Sequence, residues 1–128
     1  MRVCRVAAAK RRIMTIIQFY EKIGDDYSVV EDRLGTEAMV KYFAMKFPKD
    51  PSFDSLKKAL AEGDAETAFR AAHTLKGVCQ NLGFESLYRP AFELTEKLRG
   101  RSLEGAEPLF REVEKKYAAL TAALAEVE

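Results

Sequence analysis

Apolar residues recur along this chain at helical spacing almost throughout, and no convincing alternation of a strand interrupts them. Val6, Ile13, Ile16, Ile17, Tyr20 and Ile23 predict a first helix over most of residues 4–23. Gly24-Asp25-Asp26 breaks it, and a short helix around 28–34 carries Val29, Val30 and Leu34, with Gly35 at its stop. Thr36 is expected to cap a third helix whose buried stripe is Met39, Val40, Phe43 and Phe47, ended by Pro48. Ser52 is expected to cap the next, which carries Phe53, Leu56 and Leu60 and stops at Gly63. Asp64 opens a long helix to about Leu82, which Gly83 interrupts or bends. Another helix carries Leu87, Ala91, Leu94 and Leu98, with Pro90 near its beginning, where proline is tolerated best. Gly100 and Gly105 bracket a turn, and Leu109, Val113, Lys116 or Tyr117, Leu120 and Leu124 mark a last helix.

Short links between long amphipathic helices favour antiparallel neighbours. The expected fold is therefore all-α, an up-and-down antiparallel four-helix bundle with additional N-terminal helices. The helix at 36–47 and those from about 52 onward supply the bundle, and the N-terminal helices cap one end. Residues 1–23 form an N-terminal helix, either a further bundle element or an extension, and residues 24–128 the bundle.

Composition removes several functions. A chain of 128 residues, 48% hydrophobic and 32% charged, is long enough for one domain with a real core. Its 21 Lys and Arg nearly balance 20 Asp and Glu, which argues against a nucleic-acid partner. No apolar run approaches the ~20 residues of a membrane span, so no membrane partner is expected. The start, MRVCRVAAAKRR, has too short an apolar run for a signal peptide, and a cytoplasmic location is expected. Cys4 and Cys79 have no cysteine or histidine at metal-ligand spacing. One histidine in the whole chain leaves little material for a zinc site or a Ser-His-Asp triad, and no metal site is expected. No Gly-rich phosphate loop is present.

That histidine breaks the apolar pattern. At ~100° per residue, Ala68, Ala71, Leu75, Val78, Cys79 and Leu82 fall in one stripe, and His73 points away from it. Lys76 and Gly77 lie one turn ahead of it, Gln80 two turns ahead, Phe69 and Arg70 one turn behind, and Glu66 two. An exposed imidazole offers a ring nitrogen as nucleophile. Lys76 sits where a phosphoryl group on that nitrogen needs its charge balanced. Gly77 removes a side chain beside the ring, at a cost of ~1 kcal/mol relative to alanine, so a reason for it is required. Close helix packing is one reason, and close approach by another macromolecule is a second. Gln80 is candidate polar support. Phe69, Arg70 and Glu66 are candidates for partner docking, and Phe84 would return to the same side if the helix ran on past Gly83.

Ala72-His73-Thr74-Leu75-Lys76-Gly77, with Gly83 ten positions after the histidine, resembles the signature of histidine-containing phosphotransfer domains. Glu62-Gly63-Asp64 and Ala72 are also similar to that family, whereas the bulky Val78 departs from it on the core side of the helix. The resemblance implies that His73 takes a phosphoryl group from a receiver-domain aspartate and passes it to another receiver, within a two-component phosphorelay. It implies receiver domains and a hybrid sensor histidine kinase as partners, a monomer, no cofactor on this chain, Mg²⁺ on the receiver, and no ATP-dependent kinase activity. Two alternatives stay open: a non-catalytic helical interaction module or scaffold in which His73 is not phosphorylated, and a hydrolase, for which Glu66 is the only close carboxylate on that face.

Overall fold

A computed structural model describes residues 14–128. The earlier part of the predicted first helix, and Cys4, lie outside the described residues. The elements are α1 (Ile16–Ile23), α2 (Tyr27–Leu34), α3 (Glu37–Lys46), a 3₁₀ turn (Phe47–Lys49), α4 (Ser52–Glu62), α5 (Ala65–Leu82), α6 (Glu85–Leu98) and α7 (Ala106–Leu124). The fold is all-α, as the periodicity requires.

Consecutive helices from α4 to α7 pack on one another as an up-and-down bundle. The links Gly63-Asp64 and Gly83-Phe84 are too short for anything but antiparallel neighbours. The ring closes where Phe53 of α4 stacks on Tyr117 of α7, ring centres 3.9 Å apart, with Phe110 stacked at 5.8 Å on Phe53. Leu56, Leu75, Leu87, Leu94, Leu98, Val113 and Leu120 fill the interior.

The helix at 37–46 is not a bundle member. It packs chiefly against α1, α2 and the 3₁₀ turn, and only lightly on α5. Two of its four predicted core residues, Met39 and Phe43, are exposed at 40% and 38%, while Val40, Ala44 and Phe47 are buried. Val29 of α2 is likewise exposed. A short helix covering the end of a bundle buries a narrow stripe only, so apolar residues beyond that stripe face outward.

Local chemistry at the helix ends differs from expectation at three places. Asp50, not Ser52, supplies the acceptor at the start of α4, its Oδ1 taking the Ser52 N–H at 2.8 Å. Pro48 sits inside the 3₁₀ turn that prolongs α3 instead of ending the chain's helical course. Pro90 is the sixth residue of α6, beyond the first turn, and its missing N–H leaves the Ser86 carbonyl without its helical donor. The predicted caps Thr36 and Asp64 hold, their side chains accepting the N–H of Met39 at 3.1 Å and of Thr67 at 3.1 Å.

Ile16, Phe19 and Tyr20 of α1 are buried in the same core as the bundle residues. Phe19, Tyr20, Phe47 and Phe84 form an aromatic plug with ring centres 5.1 to 5.9 Å apart, mostly edge to face. Tyr20 donates its hydroxyl to Leu82 O at 2.6 Å, and burial pushes that phenol well above its ordinary range, so the group stays a donor. Arg33 Nη1 donates to Gln80 O at 2.6 Å and Asn81 O at 3.0 Å. The N-terminal helices thus satisfy the last carbonyls of α5 and set a cation at its negative end.

Candidate functional site

α5 carries the site. Asp64 caps its start and Glu66 lies in its first turn, both favourable at the positive end of the helix. Its end is fixed by Gly83, which takes φ +68° where the chain turns, and a Cβ there would also collide with the Val30 side chain. Helix α5 therefore stops instead of bending. Phe84 therefore does not return to the outer face. It is fully buried against Phe19, Tyr20 and Phe47, and is a core residue, not a docking residue.

Ala68, Ala71, Leu75, Cys79 and Leu82 are buried along the inner stripe, Val78 is half-buried at its edge, and His73 is exposed on the opposite side. Phe69 is half-buried beside it, with the two ring centres 6.0 Å apart and tilted by 43°. Lys76 is half-buried on the next turn. Gly77 is the informative residue. A Cβ built on it meets nothing within 4 Å, so no neighbouring helix explains the glycine. Of the two reasons left open by the sequence, intramolecular packing is removed. Gln80 has an exposed side chain lining a cleft of about 380 Å³ with Asp25, Arg33 and Tyr88, two turns from the histidine.

Charged side chains close off the site on the N-terminal side. Glu66 accepts from Arg70 Nε at 3.0 Å through one oxygen and from Arg101 Nε at 2.7 Å through the other. The Arg101 guanidinium lies 4.0 Å from the centre of the Phe69 ring, and Arg99 lies 5.4 Å from it. The hydrogen bond from Arg101, with Arg70 adding to it, holds the Glu66 carboxyl below the usual glutamate range. On α6, Arg99 chiefly does the same for Glu96, with the nearby Lys76 and His73 contributing.

Sequence reading missed the α6 and loop side of this arrangement. Phe92, 41% exposed, lies under Lys76, whose Nζ is 5.6 Å from the ring centre, and Tyr88 stacks on Phe92 at 6.0 Å. Tyr88, Phe92 and Glu96 recur every fourth residue beside the Leu87-Ala91-Leu94-Leu98 stripe, a signal the sequence did contain. Arg99 and Arg101 carried none, because they reach the site from the end and the loop of another hairpin.

A family model described as the Hpt domain matches residues 39–127. The chain belongs to the Hpt domain family. Hpt domains are phosphocarrier modules of two-component signalling, not kinases, and interact with receiver domains. Searches against curated proteins and against solved structures return no significant match. The Hpt match takes in nearly all of α3 and everything to the end of α7. Helices α1 and α2 precede it, yet they cap α5. Among the described residues, no helix is long and apolar enough to cross a membrane, and no group of three His, Cys, Asp or Glu side chains is placed to hold a metal ion.

Proposed function

We propose that this Hpt domain accepts a phosphoryl group on His73 from the aspartyl phosphate of one receiver domain and delivers it to the aspartate of another. A ring nitrogen attacks phosphorus, the N–P bond forms as the P–O bond to the aspartate breaks, and the electron pair leaves on the carboxylate. The proton on the second ring nitrogen is shed to solvent. The reverse sequence returns the group to a carboxylate. Little covalent chemistry is asked of this chain; positioning and charge balance carry the step.

The observation that carries this reading is Gly77. A mid-helix glycine one turn from an exposed imidazole, with open space where its side chain would be, supports close approach to the ring by a partner. Lys76 balances phosphoryl charge, Phe69 and Phe92 offer apolar contact to the receiver, and Arg70, Glu66 and Gln80 supply its polar rim. Mg²⁺ and the groups that activate the aspartate belong to the receiver. The source of the phosphate is a hybrid sensor histidine kinase, the protein acts as a monomer, and its site of action is the cytoplasm.

Incubation with a phosphorylated receiver labels the chain with an acid-labile, alkali-stable phosphate, and His73→Gln abolishes the label while helix content stays unchanged. Persistent label in that variant places the acceptor elsewhere. Equal receiver binding with no label on either protein identifies an interaction module instead.

A further inference from the structure

Arg101 is the one described non-glycine residue with a left-handed backbone, φ +61°. An arginine gains nothing from that conformation, which glycine adopts freely. What it gains is placement. From the loop between α6 and α7 its side chain spans back to α5, where Nε meets Glu66 at 2.7 Å and Nη1 donates to Arg99 O at 2.6 Å. Its guanidinium carbon then lies 4.0 Å from the centre of the Phe69 ring. The Phe69 and His73 rings are 6.0 Å apart, so the cation stands within about 10 Å of the imidazole.

Glu66 is shared. One carboxylate pairs with two guanidinium groups, Arg70 and Arg101, so the pair of arginines leaves a positive charge uncompensated before any phosphate arrives. All three side chains are substantially solvent-exposed, so exchange of partners requires no repacking of the core. A phosphoryl group on His73 brings two negative charges and three acceptor oxygens onto the same face. A guanidinium prefers such an anion, which it can grip with two N–H groups at once.

We propose that Arg101 is a second phosphoryl-binding cation, held beside His73 by Glu66 until the histidine is phosphorylated and then transferred from the carboxylate to the phosphate. The inference rests on the carrier reading, and it adds a residue from outside α5 to the phosphorylated state. Lys76 balances charge from the C-terminal side of His73, and Arg101 does so from the N-terminal side. Arg101 is a positioning residue in the unmodified protein and a ligand only in the phosphorylated one.

The test uses the two sides of one ion pair. The full chain is phosphorylated on His73 with phosphoramidate, which needs no receiver, and loss of phosphate is followed by ³¹P resonance at constant pH. Arg101→Gln shortens the phosphohistidine lifetime by about two- to fivefold, the range expected for one exposed charge contact. Glu66→Gln lengthens it, because the arginine is already free. In the double variant the effect of Glu66→Gln disappears.

If Arg101 and Glu66 form only a structural latch, both single variants move the lifetime the same way, and the proposal falls. If Glu66→Gln keeps its full effect without Arg101, the carboxylate acts through its own charge, and the proposal also falls. Unchanged lifetimes in both overturn it outright. Failure of the carrier reading is seen separately, as absence of transfer from a phosphorylated receiver to the wild-type chain.

Discussion

Replacing Gly77 with alanine separates stability from function at a single methyl group. The residue lies inside α5, five residues from the C-terminal end, with ordinary helical backbone and open space at the Cβ position. Alanine there relieves the conformational freedom that glycine must surrender, a gain of about 0.8–1 kcal/mol in a helix interior. For a domain of this size that raises the melting temperature by about 3–5 °C. The same methyl stands one turn from the His73 ring, in space the receiver has to enter. Inserting a methyl into a close-packed contact costs about 1–3 kcal/mol, so the second-order rate of transfer from a phosphorylated receiver falls by about 5- to 160-fold. The assays are a circular-dichroism melt and a phosphotransfer time course on the same preparation. A variant that is more stable and transfers at the wild-type rate refutes the access role. A variant that is less stable means the position is not open, and the reasoning from geometry fails at its first step.

Phe84→Ala lowers stability by about 3–5 kcal/mol through a cavity in the aromatic plug, read as a shift in the urea midpoint; any folded fraction binds receiver normally, and a selective binding loss at unchanged stability would return Phe84 to the docking face. The Asp25 carboxyl is raised above its ordinary range because half-burial outweighs the hydrogen bonds from Ser86. The protonated form therefore favours folding: that contribution is complete below the ordinary aspartate range and is lost as pH rises through the raised value. Asp25→Asn keeps an acceptor for the Ser86 N–H and flattens the stability profile just above the ordinary aspartate range; an unchanged slope there would show that the group is solvated.

Sequence periodicity alone determined the helices, because burial of one face imposes a 3.6-residue repeat wherever a helix lies on a core. It also determined that His73 faces outward, since the stripe of Ala68, Ala71, Leu75, Cys79 and Leu82 leaves only one side free, and the His73-Lys76-Gly77 spacing follows from the helix itself. The bounds of α5 were legible for the same reason, as Asp64 and Gly83 act on their own backbone neighbours. Only the tertiary structure decided the fate of Phe84, because a residue just past a helix stop takes its direction from the turn, and here Val30 and Gly83 force that turn. It decided likewise that Met39 and Phe43 face outward, since how much of a short helix is covered depends on what lies across from it. And it alone brought Phe92 to Lys76, and Arg99 and Arg101 to Phe69, because contacts between separate helices are set by the packing of whole elements; spacing along α6 marks Phe92 as lying beside the core stripe, not what it meets.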